Sequence, residues 1–202
     1  MSTHETQPFD ELQTIKGLLF PSNLTFRQLL ITGPPGAGKT TLIRQLRGWP
    51  EEGYVNLAYD KWWTAQSLSL RPREIHLGLP FRGREKSLTV FEPDYINADP
   101  PLELEVSRIV TPPAKRFFFS VNWYERYVFE FLIPPPEILF EQRSKRAKCE
   151  THYVDTNLTL EQVQRESSIY LETALFLQQK GFQVYLRKGY KEPPMKLTTQ
   201  EK

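Results

Sequence analysis

Short apolar runs alternate with longer amphipathic stretches along this chain, a pattern that predicts β-strands separated by α-helices. The expected strands are Leu29–Thr32, Tyr54–Ala58, Ser87–Phe91, Arg116–Val121, Tyr127–Ile133 and Phe182–Leu186. The expected helices are Phe9–Leu19, Lys39–Arg47, Glu137–Ala147 and Leu160–Lys180. Strands separated by helical segments favour βαβ units, so we expect an α/β fold with a mostly parallel sheet flanked by helices.

Length and composition set the broad class. The 202 residues suit one domain with a substantial core, preceded by an N-terminal extension (1–24) and followed by a mobile tail (191–202) with little to bury. A content of 39% hydrophobic and 25% charged residues is ordinary for a soluble globular protein, and the net charge of +2 does not point to nucleic acid or a membrane.

The same features predict a cytoplasmic location. The single cysteine, Cys149, excludes an internal disulfide and is typical of a reducing compartment. The polar, acidic start MSTHETQPFDELQ is unlike a signal peptide, and no apolar run approaches the ~20 residues that cross a bilayer.

The stretch LLITGPPGAGKTTLIRQL joins a predicted strand to a predicted helix through a glycine-rich loop. Its spacing, Gly33–x4–Gly38–Lys39–Thr40, matches the Walker A pattern, in which backbone N–H groups surround an anion. Lys39 would reach the outer phosphates and the Thr40 hydroxyl would ligate Mg²⁺, whereas a simple glycine turn requires neither residue. We therefore expect bound ATP and Mg²⁺, held by Gly33, Pro34, Pro35, Gly36, Ala37, Gly38, Lys39, Thr40 and Thr41.

The segment GYVNLAYDKWW places Asp60 just past the second predicted strand, where ligands of open α/β sheets bind. The region Leu29–Asp60 resembles the P-loop NTPase superfamily, in particular small P-loop kinases such as shikimate, guanylate and polynucleotide kinases. That resemblance implies that Asp60 orients or deprotonates an acceptor hydroxyl. The alternative is that Asp60 is a helix N-cap.

A second resemblance lies in YVFEFLIPPPEILFEQRSKRAKCE, which is similar to the strand-to-lid segment of guanylate-type kinases. It implies that Arg143 and Arg146, three residues apart on one helix face, close over the donor phosphates and stabilise the transferring group. The alternative is a solvated basic face that includes Lys145 and Lys148. The resemblance extends over Tyr127–Tyr190 and implies that the loop at 188–190 holds the adenine.

The resemblance also implies an acid at the end of a further buried strand, close to Mg²⁺. The expected segment, KRFFFSVNWYER, contains no aspartate, so Glu92 and Asp94 in SLTVFEPDYIN are the candidates to hold a magnesium-bound water. The scattered histidines offer no metal-site spacing, and we interpret His76 as incidental.

Residues 61–115 are a candidate acceptor-binding insertion. Within it, the segment RPREIHLGLPFRGREK sets five basic residues against only Glu74 and Glu85: Arg71, Arg73, Arg82, Arg84 and Lys86. This local excess of positive charge favours a phosphorylated, acidic or nucleotide-like acceptor, and the alternative is that the basic residues are merely solvated. Trp62 and Trp63 form either a stacking wall for a base or part of the core.

These features predict a small ATP-dependent kinase that transfers the γ-phosphate to a hydroxyl or phosphate acceptor. Its expected catalytic residues are Lys39, Asp60, Arg143 and Arg146. The alternative is an ATP-binding regulatory or assembly protein with slow turnover that acts on a partner protein, which the missing acid after FFFSV favours. A hydrolysing NTPase, including one that acts on nucleic acid, is the remaining possibility.

Overall fold

The computed structural model describes residues 6–8, 12–15, 18–21, 28–64, 71–89, 93–113, 123–149, 152 and 155–198. The strands are β1 (Thr6–Pro8), β2 (Leu12–Ile15), β3 (Leu18–Pro21), β4 (Gln28–Thr32), β5 (Trp49–Asn56), β6 (Arg73–Leu79), β7 (Leu88–Thr89), β8 (Tyr127–Leu132), β9 (Gln183–Arg187) and β10 (Met195–Leu197). The α-helices are α1 (Lys39–Gln45), α2 (Pro93–Ile96), α3 (Trp123–Arg126), α4 (Pro136–Lys148) and α5 (Leu160–Gln179).

The main sheet has the order β1-β10-β9-β8-β4-β6-β5, with β7 also paired to β6. The central run from β9 to β5 is parallel throughout, while β10, β1 and β7 pair antiparallel. The protein is therefore an α/β protein with a mostly parallel, mixed sheet flanked by helices. Strand β4, which leads into the glycine-rich loop, lies between β6 and β8.

Alternate side chains of β4 face two separate parts of the core. Leu29 and Ile31 pack with Leu42 and Ile43 of α1, while Leu30 packs with the apolar side of α5. A strand buried on both faces needs an almost unbroken apolar sequence, as β4 has. The two faces place α1 and α5 on opposite sides of the sheet, and the loop after β4 lies at the carboxyl edge between them.

Most of the predicted elements are confirmed with small shifts at their ends. Helices α1, α4 and α5 and strands β4, β8 and β9 lie where the hydrophobic pattern predicts them. Strand β5 overlaps the expected Tyr54–Ala58 but begins five residues earlier, at Trp49, and ends at Asn56. Of the expected strand Ser87–Phe91, Leu88–Thr89 is formed and the last two residues lie outside the described residues, as does the whole of Arg116–Val121.

The prediction of a helix over Phe9–Leu19 is wrong. Strands β2 and β3 pair antiparallel, with Leu12 opposite Pro21 and Ile15 opposite Leu18. Apolar residues at short intervals resemble one face of a helix, yet the described residues pair as two antiparallel strands.

The expectation that the tail at 191–202 has little to bury is also wrong. Strand β10 pairs with β9, and Leu197 is 3% exposed within the main core. Strand β1, from the expected N-terminal extension, adds to the other side of β10. Both ends of the described chain thus extend the sheet.

The candidate insertion at 61–115 contains a central strand. β6 pairs in parallel with β4 on one side and with β5 on the other. Its residues Ile75, Leu77 and Leu79 are buried in the core. The segment read as an arginine-rich acceptor region therefore supplies part of the sheet that carries the glycine-rich loop.

Candidate functional site

The glycine-rich loop at 33–38 connects β4 to α1 and requires glycine for specific reasons. A Cβ atom at Gly33 would lie 2.1 Å from the backbone oxygen of Leu132 on β8. Gly36 and Gly38 have φ angles of 82° and 90°, which side-chain-bearing residues rarely adopt. The loop is thus held close to β8 in a backbone conformation that its glycines make possible.

Lys39 folds back over this loop. Its Nζ donates hydrogen bonds to the backbone oxygens of Gly33, at 2.9 Å, and Pro34, at 3.1 Å. The side chain is 7% exposed and lines the cleft described below. Its positive charge therefore lies at the open side of the loop, where an anion entering the loop would meet it.

Glu74 supplies the acid that the sequence did not reveal. It lies on β6 opposite Ile31 of β4, level with the start of the loop. The Thr40 hydroxyl donates a 2.9 Å hydrogen bond to Glu74 Oε2, and Glu74 is 3% exposed. A hydroxyl and a carboxylate thus adjoin Lys39, which is an oxygen donor set of the kind Mg²⁺ prefers.

The two acids proposed for the metal from sequence are not part of this arrangement. Glu92 lies outside the described residues. Asp94 is exposed in the first turn of α2 and does not line the cleft. Asp94 is therefore separate from the cleft, and the acid that lies beside Thr40 is Glu74.

Arg143 of α4 is completely buried and ion-paired. Its Nε donates to Asp155 Oδ1 at 2.8 Å and its Nη1 to Glu166 Oε2 at 2.5 Å. Arg146 Nη2 donates to the other oxygen of Asp155, also at 2.8 Å. For Arg143, the alternative of a solvated basic face is wrong.

Charge and burial shift the pKa values of this network in opposite directions. Burial raises the pKa of the Glu166 carboxyl, although the attraction of Arg143 lowers it. Burial alone would lower the pKa of Arg143, but Glu166 and Asp155 raise it above its ordinary value. Arg143 therefore stays positive, while Glu166 holds its proton more tightly than an exposed glutamate does.

The arginines and one tyrosine border the loop directly. A Cβ atom at Gly36 would lie 2.9 Å from Arg143 Cγ and 3.5 Å from Arg146 Nη2. A Cβ atom at Gly38 would lie 2.9 Å from the Tyr190 ring. The absence of a side chain at Gly36 therefore lets the two arginines approach the loop closely, and its absence at Gly38 lets the Tyr190 ring do the same.

These groups enclose a cleft of about 740 Å³. Its walls combine the loop, the first turn of α1, the inner face of α4 and polar residues from the segments around them. The lining residues that carry charge or imidazole are Lys39, Glu74, His76, Arg143, Lys145, Arg146, His152 and Asp155. Three of the predicted catalytic residues, Lys39, Arg143 and Arg146, thus meet at one cleft with the loop.

Asp60 does not join them. It is exposed in the turn after β5, the edge strand, which lies two strands and therefore about 10 Å from β4. It does not line the cleft. The position of Asp60 at a strand end was predicted correctly, but the insertion of β6 between β5 and β4 moves it away from the loop.

The tryptophans of the middle segment belong to the core, and its basic residues lie away from the cleft. Trp62 and Trp63 are each 5% exposed, and the Trp62 ring packs against Tyr127, Phe129 and Phe182. The stacking-wall interpretation is therefore wrong. The basic residues also lie outside the cleft walls: Arg71, Arg73, Arg82, Arg84 and Lys86. His76, interpreted as incidental, does line the cleft.

Sequence reasoning missed Glu74, Asp155 and Glu166. For Glu74, the alternation of Ile75, Leu77 and Leu79 with His76 and Gly78 was a sufficient indication of a strand. Asp155 and Glu166 carry no local pattern, because their importance depends on contacts with Arg143 of another element.

No protein-family model matches this chain, and no curated protein or solved structure is significantly similar to it. Among the helices that the structure describes, none is long and apolar enough to cross a membrane. The α/β class therefore rests on the architecture, and the function must be argued from the cleft.

Proposed function

We propose that this protein binds ATP with Mg²⁺ and is a small kinase, which transfers the γ-phosphoryl group to an acceptor that enters the cleft. The observation that carries the proposal is the hydrogen bond from Thr40 to the buried Glu74 beside Lys39 and the glycine-rich loop. A glycine turn without a ligand needs no buried carboxylate at this point, and burying one is costly.

Thr40 and Glu74 are the residues that would hold Mg²⁺. Within the described ranges, no group of three or more His, Cys, Asp or Glu side chains could hold a metal by itself. That fits Mg²⁺, which usually takes one or two protein ligands and completes its shell with phosphate oxygens and water. When bound, the ion would neutralise charge on the phosphates.

The cationic side chains of the cleft have distinct roles in this proposal. Lys39 would exchange its bonds to the loop carbonyls for phosphate oxygens. Arg143 and Arg146 border Gly36 and would stabilise the charge of the transferring group, since guanidinium groups bind phosphate through several directed hydrogen bonds. Asp155 and Glu166 fix these guanidinium groups before a ligand arrives.

Calorimetric titration with ATP and Mg²⁺ tests the proposal. Lys39→Ala should weaken ATP binding at least about tenfold, because the ammonium group is lost from the phosphate site. Glu74→Gln should keep affinity for ATP alone but lose most of the added affinity that Mg²⁺ brings.

Glu103→Gln is a matched control, because Glu103 pairs with Arg82 on the exposed surface. Equal affinity of the native chain, Lys39→Ala and Glu74→Gln for ATP with Mg²⁺, with all variants folded, would refute the phosphate site.

A second candidate is an ATP-dependent switch that acts on a partner protein. The ion pairs of Arg143 and Arg146 favour it, because Asp155 and Glu166 already neutralise these arginines before any nucleotide binds. A nucleotide that draws either arginine away would break these ion pairs and reposition α4. Burst kinetics separate the two candidates: a switch forms ADP once and slowly, whereas a kinase turns over repeatedly once its acceptor is added.

A further inference from the structure

Three buried polar atoms near the arginine network have no hydrogen-bond partner among the described residues. They are Arg143 Nη2, Glu166 Oε1 and the Tyr95 hydroxyl. Native proteins pair almost all such atoms, because an unpaired buried donor or acceptor is costly. Unpaired atoms that cluster beside a cleft therefore indicate a place where a ligand supplies the missing partner.

Of the three groups, Arg143 lines the cleft, whereas Glu166 and Tyr95 are 3% and 4% exposed and lie behind the lining. Arg143 holds Glu166 by a 2.5 Å hydrogen bond. Glu166 and Tyr170 lie four residues apart on α5 and so share a face, and Tyr170 also lines the cleft.

Tyr95 is held beside α5 by hydrogen bonds to its neighbour Ile96. The backbone oxygen of Ile96 accepts hydrogen bonds from Arg165, at 3.0 Å, and Gln162, at 3.3 Å. Ile96 itself lines the cleft. Burial raises the pKa of Tyr95 well above its ordinary value, and the charge of Glu166 raises it further, in agreement with their proximity. We name Arg143 and Tyr170, which line the cleft, together with Glu166 and Tyr95 behind them, the inner wall.

The three unpaired atoms select among ligand groups. Arg143 Nη2 can only donate, Glu166 Oε1 accepts when ionised, and a tyrosine hydroxyl does both. An alcohol hydroxyl can accept from Arg143 and donate to Glu166 at once. A phosphate or carboxylate would be repelled by Glu166, and an ammonium group would be repelled by Arg143.

We propose that the inner wall is the acceptor subsite of the kinase proposed above, that the acceptor presents an uncharged alcohol there, and that Glu166 takes the proton from its hydroxyl. This inference rests on the proposed function. The hydroxyl O–H bond breaks and the proton moves to Glu166 Oε1, while the oxygen forms a bond to the γ-phosphorus. The bond from the γ-phosphorus to the bridging oxygen breaks, and ADP leaves with the electron pair. Glu166 then returns its proton to solvent.

The surroundings of Glu166 suit this task. Charged and titratable groups reach it from each neighbouring element: Lys39 of α1, Tyr95 of α2, Arg143 of α4, Asp155, and Tyr170 of α5. Burial raises the pKa of Glu166, which strengthens it as a base, while Arg143 and Lys39 lower it. A stronger base that is still ionised at working pH takes a proton from an alcohol more effectively.

The experiment uses the full chain with ATP, Mg²⁺ and glycerol at molar concentration as the probe alcohol, with glycerol phosphate detected by ³¹P NMR. Glu166→Gln keeps the size of the side chain but cannot take a proton. It should lower transfer at least about 100-fold, with ATP affinity by calorimetry unchanged within about threefold. The native rate should rise with pH as Glu166 ionises, and that limb should be absent from the variant.

Glu161→Gln, on the exposed start of the same helix, is the matched control and should behave as the native chain. Transfer by Glu166→Gln within about threefold of the native rate overturns the inference. So does a native chain that binds ATP but forms no glycerol phosphate. Failure of the native chain to bind ATP instead refutes the proposed function.

Tyr95→Phe covers the case in which Glu166→Gln does not fold. It removes one unpaired buried hydroxyl and little else, so a purely structural role predicts an equal or higher melting temperature and unchanged kinetics. The subsite predicts an equal or higher melting temperature together with a KM for glycerol raised at least about fivefold and an unchanged Kd for ATP. An unchanged KM for glycerol overturns the inference.

Discussion

Two separable constraints can require glycine at a position: a positive φ angle, and too little room for a Cβ atom. Gly33 has both, because its φ angle is 150° and an added Cβ would meet the Leu132 carbonyl at 2.1 Å. Gly83 has only the first: its φ angle is 71°, and an added Cβ would meet nothing within 4 Å. Comparing the two residues isolates the effect of close packing between the loop and β8.

Gly33→Ala should destabilise the protein by about 2–4 kcal/mol, since backbone strain and displacement of β8 both contribute. Gly83→Ala should cost about 1 kcal/mol from strain alone. Urea unfolding followed by circular dichroism measures both free energies. Equal losses in the two variants would show that the loop moves away from Leu132 at no cost.

At the scale of elements, the sequence predicts those strands and helices whose pattern is local and long. Strand β4 and helix α5 are such cases, because apolar runs and helical periodicity persist over the whole element. Strand β6 was not predicted, because Arg73, Glu74 and His76 make its sequence resemble a charged loop although apolar residues alternate along it.

The candidate site divides in the same way. Lys39 and Thr40 belong to a motif that is read within one loop, so their meeting at the cleft could be predicted. Glu74 comes from another strand, and Asp155 comes from the segment between α4 and α5. Their contacts with Thr40 and Arg143 arise only when the sheet and helices pack, and no local pattern encodes that packing.

Helix α4 depends on Asp155, which bonds to both of its arginines. Asp155→Asn removes the charge while keeping the shape, and leaves the buried Arg143 with Glu166 as its remaining carboxylate partner in the network. We expect a loss of about 3 kcal/mol in the free energy of unfolding, as for other broken buried ion pairs. Chemical denaturation provides the measurement.

The control for Asp155→Asn is Glu141→Gln on the same helix. Glu141 pairs with Lys145, but both side chains are largely exposed, so water screens the attraction and no measurable loss is expected. Comparable losses in the two variants would mean that burial does not strengthen the Asp155 network.

For the whole molecule, the sheet is extended beyond β9 by β10 and β1, one from each end of the described chain. Removing residues 194–202 deletes β10, takes Leu197 out of the core and deprives β1 of its partner strand. We expect a loss of at least about 2–3 kcal/mol in the free energy of unfolding, since removal of a buried leucine side chain alone costs this much.

Removing only 199–202 leaves β10 intact and should change the free energy of unfolding little. If both truncations leave stability unchanged, residues 194–198 contribute nothing to the fold and the tail behaves as its polar sequence predicted. If only the longer truncation destabilises the protein, the sheet depends on its last strand, and the loop that carries Tyr190 to Gly38 is anchored at both of its ends.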